Sequence, residues 1–198
     1  MNDPAPRLEP LPPEHWGDDA IAALQRAFPG DVVEAFRTSG SPPNVLATML
    51  HYPELAGSFT AYGNVLLQQP AIGHRARELM LLRVAWRTRA RYEWVHHVGL
   101  AARYEIRRDD VDAIINDVAA PSWTPIERDL VAAADQLLDN YRIDDEIWAR
   151  LAEYFDERQL VEIPFIVGTY TCLAMAFNSW GLQVEAAVQT AGIPPLPE

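Results

Sequence analysis

Lysine is absent from this chain of 198 residues, and all 16 basic side chains are arginines. That absence excludes a Schiff-base lysine, and with it PLP-dependent and lysine-type aldolase chemistry. It also excludes a Walker A phosphate loop, whose lysine reaches the nucleotide phosphates. Cysteine is nearly absent too, with Cys172 the single thiol. No disulfide closes within the chain, and no CxxC redox pair or cysteine-rich zinc site is available. Basic residues are outnumbered by acidic ones, 16 to 28, for a net charge of -12. Charge of that sign disfavours nucleic acid and anionic membrane surfaces as partners. Alternating β-branched runs are missing, so no segment reads convincingly as a strand.

What remains is ample material for a core. Hydrophobic residues make up 49% of the chain and charged ones 22%, which argues against wholesale disorder. The stretch Met1 to Pro13 is acidic and proline-rich, without the apolar core of a signal peptide, and points to the cytoplasm. The uncharged stretch Ile163 to Leu182 is long enough to span a bilayer. It carries Pro164, Gly168, Thr169, Thr171, Asn178, Ser179 and Gly181, however, and has no basic flank. It therefore reads as the buried helix of a soluble protein or an oligomer, not as a membrane anchor.

Prolines crowd both ends. The expected organisation is an extended arm over 1–17, one helical domain over 18–190 and a short tail over 191–198. Between the ends the helix signals recur. Asp18, Asp31 and Asn44 are candidate caps for three short helices. A longer helix is expected from Pro53 to Leu67, and others from Ile72 to Arg87, Arg91 to Tyr104 and Arg108 to Asp117. Thr124-Pro125-Ile126-Glu127 is a capping box with proline at the first helical position. Asp144 caps a further helix, and Asp156 with Gln159 opens a long one reaching about Val188. The fold class is all-α, with roughly eight to ten helices and short loops.

Chemistry concentrates in Arg89-Ala90-Arg91-Tyr92-Glu93-Trp94-Val95-His96-His97. Glu93 and His97 lie at i and i+4 and share a helix face. A carboxylate beside an imidazole can trade a proton near neutral pH. Tyr92, Trp94 and Trp86 offer apolar walls, and desolvation by such walls pushes a carboxyl toward a base role. The alternative is an ordinary exposed pair, with His96 a packing residue. Glu78, fifteen residues earlier, meets this face if the two helices form a hairpin; otherwise it is a surface acid beside Arg75. Arg83 and Arg87 belong to a cluster of arginines and are candidates for holding a substrate carboxylate, against salt bridges to acidic neighbours. Glu93-Trp94-Val95-His96 is an ExxH, but no second one exists, so neither a di-iron site nor any other metal site is expected. Cys172 is spaced like a core residue.

Five landmarks carry a resemblance to a known family. They are His51-Tyr52-Pro53-Glu54-Leu55, Arg77-Glu78-Leu79-Met80-Leu81-Leu82-Arg83-Val84-Ala85, Tyr92-Glu93-Trp94-Val95-His96-His97, Phe155 to Glu162, and Asn178-Ser179-Trp180-Gly181. From about Val45 to Glu185 the chain resembles the carboxymuconolactone decarboxylase family, which includes the AhpD-like alkylhydroperoxidases. The resemblance implies an AhpD-like helical domain that assembles into homotrimers or hexamers. It also implies that the peroxidase branch's glutamate falls on Glu78 and its histidine on His97. The two cysteine positions of that branch fall on Ala90 and Glu93, so its disulfide chemistry is expected to be absent.

The remaining set, Glu78, Glu93 and His97, looks more like the decarboxylase branch, which uses neither metal nor organic cofactor. The expected function is an acid/base enzyme acting on a small carboxylated lactone or β-keto acid. Arg83, Arg87, Tyr92, Trp94 and His96 would surround that substrate. The alternatives are a non-catalytic oligomeric binding protein and, less favoured without the CxxC, a peroxidase.

Overall fold

A computed structural model describes residues 5–197. Among the described residues it holds ten α-helices and no strand, as the sequence leads one to expect. The chain divides into two compact units. The first takes the described residues up to Gln68 together with Ser179–Ala187. The second takes Gln69–Asn178 and the described residues from Val188 onward.

The first unit is built from α1 (Asp18–Gln25), α2 (Gly30–Ser39), α3 (Asn44–Met49) and α4 (Pro53–Gln68). Its core gathers Trp16, Leu24, Val33, Leu46 and Leu50. The proline-rich entry is pinned to this core. Trp16 is buried and donates its indole N–H to the Leu11 carbonyl at 2.9 Å, and Leu11 N–H reaches the Ala47 carbonyl at 3.1 Å. Gly57 lets α4 approach α1 closely, because a Cβ there would sit 2.8 Å from the Ala23 carbonyl oxygen.

Three expected caps, Asp18, Asp31 and Asn44, are not used as such. Gly17, Pro29 and Pro43 occupy the cap positions of α1, α2 and α3. Asn44 instead donates its side chain to the Gln183 carbonyl and its backbone N–H to Glu185.

The second unit contains α5 (His74–Thr88), α6 (Arg91–Leu100), a 3-10 turn (Ala101–Tyr104), α7 (Arg108–Asn116), α8 (Pro125–Asn140), α9 (Asp145–Tyr154) and most of α10 (Glu157–Trp180). Every residue from Arg77 to Ala85 is buried, so α5 is the axis against which α6, α7 and α8 pack. Arg89 takes a left-handed conformation (φ 55°) that ends α5, and the Ala90 N–H closes back on the Ala85 carbonyl at 2.9 Å. This tight reversal lays α6 along α5. The caps at Thr124 and Asp144 form as read, accepting from Glu127 N–H and Ile147 N–H.

The long helix stops at Trp180 rather than near Val188. Gly181 is left-handed (φ 64°), and the Trp180 carbonyl accepts from the N–H groups of Arg7 and Leu8 instead of from a further helical turn. By length and composition α10 is long and apolar enough to cross a membrane. Its Glu162 is nevertheless buried against the unit and accepts the Ile72 N–H at 2.9 Å.

Candidate active site

The helical hairpin brings α5 and α6 side chains together in the second unit. Glu78 is fully buried, and its Oε2 lies 2.9 Å from His97 Nδ1. Its other oxygen, Oε1, accepts from the guanidinium of Arg77, which is fully buried as well. Burial pushes the Glu78 carboxyl up, but His97 and Arg77 outweigh it and hold the group below the ordinary range. Glu78 is therefore an ionised acceptor, and His97 Nδ1 carries the donated proton. That fixes the ring, leaving Nε2 as the nitrogen available for chemistry. His97 is also the part of this trio that reaches solvent, with its side chain 15% exposed.

Arg77 is itself seated. Its guanidinium carbon lies 4.9 Å from the centre of the Tyr104 ring, and one of its nitrogens lies 3.2 Å from His74 Nδ1. Burial lowers the tendency of Arg77 to hold its proton, yet Glu78 more than compensates and raises it. The chain Arg77, Glu78, His97 thus holds one positive and one negative charge behind a single imidazole.

Glu93 sits one helical turn before His97, is 3% exposed, and has no hydrogen-bond partner on either carboxyl oxygen among the described residues. Burial alone pushes its carboxyl well above the ordinary value. The i, i+4 spacing suggested that Glu93 would partner His97. The structure gives that role to Glu78 and leaves Glu93 a buried, unpartnered acid on the same face, among the described residues. Tyr170 of α10 packs beside this face, its ring and the His97 ring in a T-shaped arrangement with centroids 5.8 Å apart.

Three expected substrate contacts are corrected. Arg83 binds Asp135 through two nitrogens at 2.7 and 2.9 Å, pairs with Asp117 and donates to the Ile114 carbonyl. Arg87 pairs with Asp135 and Asp139 of α8. Both arginines tie α5 to α7 and α8 instead of offering a free guanidinium to a carboxylate. Trp94 is a core residue. It lies in the apolar cluster with Trp86 at 5.2 Å, and its indole N–H donates to the Pro194 carbonyl at 2.7 Å.

Tyr92 and His96 engage each other, with rings stacked at 4.1 Å and His96 Nδ1 2.8 Å from the Tyr92 carbonyl. Among the described residues no group of three His, Cys, Asp or Glu side chains is arranged to hold a metal ion. Cys172 is exposed, not buried. A cavity of about 640 Å³ meets the cluster only through His74 and Tyr104, and its lining includes neither Glu93 nor His97.

Sequence reasoning missed Arg77 and Tyr170. Arg77 adjoins Glu78 in sequence, but only its side-chain path shows the pairing. Tyr170 lies inside an apolar run, where a tyrosine brings a hydroxyl that needs a use.

The pattern of the carboxymuconolactone decarboxylase family matches residues 53–136, a segment that holds Arg77, Glu78, Glu93 and His97. No functionally curated protein matches the chain by sequence. Among solved structures, an uncharacterized peroxidase-related protein with an AhpD core from Ralstonia eutropha JMP134 superposes with a TM-score of 0.77 at 19% identity, covering 98% of this chain and 100% of that one. A peroxidase-related protein from Silicibacter sp. TM1040 gives a TM-score of 0.72 at 18% identity, covering 95% and 97%. The debrominase Bmp8, crystallised as a cysteine-to-alanine variant with 2,3,4-tribromopyrrole, gives 0.70 at 20% identity, covering 94% and 95%. Through residues 53–136 the chain carries the carboxymuconolactone decarboxylase family pattern, set in an AhpD-like all-helical fold.

Proposed function

We propose that this protein is a cofactor-independent acid/base enzyme acting on a small carboxylated lactone or β-keto acid, by decarboxylation or a closely related proton transfer. The observation that carries the reading is Glu93. It is a buried carboxyl with no partner, one turn from an imidazole held by a buried Arg77–Glu78 ion pair. Burial pushes the Glu93 carboxyl up while His97 and Arg77 hold the Glu78 carboxyl down, and two acids whose proton affinities are pushed apart beside one imidazole are an arrangement that supports proton transfer.

In the decarboxylation step the electron pair of the breaking carbon–carbon bond stays on the α-carbon and flows into the adjacent carbonyl as an enolate, and carbon dioxide leaves. His97, in its imidazolium form, delivers the Nε2 proton to that carbon. Glu78 keeps Nδ1–H engaged throughout, and Arg77 keeps Glu78 ionised. Glu93, neutral at rest, returns a proton to His97, and solvent reprotonates Glu93. Arg83 and Arg87 are spent on Asp117, Asp135 and Asp139, so the imidazolium supplies the positive charge that faces the substrate. The fold is shared with a debrominase and with peroxidase-related proteins, but this chain has Ala90 and Glu93 where the resemblance puts the two thiols of the family's peroxidase branch.

The test is carbon dioxide release, followed by mass spectrometry, from a panel of carboxylated lactones and β-keto acids. We expect His97→Ala to lower turnover by about two to four orders of magnitude. An equal rate in the variant, or no release by the wild-type protein from any compound, overturns the reading.

A further inference from the structure

We propose that Tyr170 is a further catalytic residue, whose hydroxyl donates a hydrogen bond to the oxygen on which negative charge develops; this rests on the acid/base reading above. An enolate needs a donor aimed at its oxygen, and the groups already assigned do not supply one. Arg77 is committed to Glu78, His97 uses Nδ1 on Glu78 and Nε2 on carbon, and the Glu93 proton is assigned to His97.

Tyr170 packs beside the same face from α10, a different element from those bearing the acid/base pair. It is 7% exposed, and its ring stands at 82° to the His97 ring. Arg77, Glu78, Glu93 and Tyr104 all act electrostatically on its phenol, which places it among the site groups. The phenol is not spent on Glu93, since both Glu93 oxygens are unpartnered.

Burial, reinforced by Glu78 against the opposing pull of Arg77, raises the phenol above its ordinary value. It therefore stays a donor throughout the working pH range. The chemistry balances without transferring this proton. The electron pair released from the carbon–carbon bond reaches the carbonyl oxygen, Tyr170 O–H hydrogen-bonds to that oxygen, and His97 protonates the carbon as the charge returns.

The experiment compares the wild-type protein with Tyr170→Phe, which keeps the ring against His97 and removes only the hydroxyl. In the decarboxylation panel the variant should lose about 100- to 1000-fold in kcat, as oxyanion donors do, with KM nearly unchanged. A second readout does not depend on turnover. 4-Nitrophenolate, an anionic oxygen on a small ring, is titrated by its absorbance against both proteins. Wild-type binding should weaken at least tenfold in Tyr170→Phe. Equal binding by the two proteins, no binding by the wild type, or a loss confined to KM overturns the proposal. Hydroxyl-dependent binding with no turnover of any panel compound would refute the decarboxylation reading and still support the donor.

Discussion

Replacing Glu93 by glutamine should make the protein more stable at neutral pH, even though it removes a group of the proposed site. In the folded chain the carboxyl is buried and unpartnered among the described residues, and burial holds its proton to pH above 4.5, the ordinary value at which it ionises in the unfolded chain. Over that range the folded state holds the extra proton, so the free energy of unfolding falls as pH rises. The slope is about 1.4 kcal/mol per pH unit for one proton. The loss grows with pH above 4.5 for as long as the folded carboxyl keeps its proton. It levels off only where the folded carboxyl itself ionises.

Glutamine has the same shape and no proton to lose. Any cost of burying its amide is the same at every pH and leaves the slope untouched. Glu78 contributes the opposite trend, because its lowered carboxyl yields stability that is present above its unfolded value and lost as pH falls through its folded one. That trend is common to both proteins and cancels in the difference. Urea unfolding of both, between about pH 5 and pH 8 at one protein concentration, reads the effect directly. The variant should gain on the wild type steadily as pH rises. A difference that does not change with pH, or that narrows as pH rises, would refute the claim that Glu93 is buried as a neutral acid.

Three further substitutions separate stability from chemistry. Arg77→Met leaves the fully buried Glu78 without its guanidinium and should cost about 3–5 kcal/mol in urea unfolding, whereas a cost near zero would contradict a desolvated pair. Arg83→Met breaks its bonds to Asp135, Asp117 and the Ile114 carbonyl. It should cost about 2–3 kcal/mol while leaving turnover per folded molecule unchanged, and a selective rise in KM or fall in kcat would restore Arg83 to the site. Gly57→Ala should lower the melting temperature, although alanine is the better helix former by about 1 kcal/mol, because the added methyl meets the Ala23 backbone at 2.8 Å. A rise in melting temperature would show that α1 and α4 separate easily.

Local chemistry made much of the fold legible. Thr124 with Glu127, Asp144 and the break after Thr88 are each settled within a few residues, and the helices form where these signals stand. Asn44 misleads because its side chain is drawn to Gln183, a partner 139 positions away in sequence. The end of α10 misleads for a related reason, since its last carbonyl is taken by Arg7 and Leu8.

The same division runs through the site. Glu93 and His97 are visible as a helical pair, and Glu78 joins them through the family pattern. Arg83 and Arg87 look free in sequence because their acids, Asp135 and Asp139, lie 48 to 52 residues downstream. Arg77 and Tyr170 matter only once α5, α6 and α10 are packed.

The case for Glu93 as a working group is strongest beside the other buried acids of the same unit. Asp110 is fully buried and accepts from Arg75, the Arg107 N–H, Ser122 and Trp123. Glu162 accepts the Ile72 N–H, and Glu78 has Arg77 and His97. Each of these satisfies a structural demand: a buried carboxyl needs donors, and the surrounding chain supplies them. Glu93 is buried to a similar degree with no donor among the described residues, and it lies on the one helix face that also carries His97. A structural role would require partners like those of its neighbours, and an apolar side chain of similar volume would fill the space without the pH-dependent cost worked out above. The arrangement makes physical sense if the missing partner arrives from outside, as a substrate that meets Glu93, His97 and Tyr170 together.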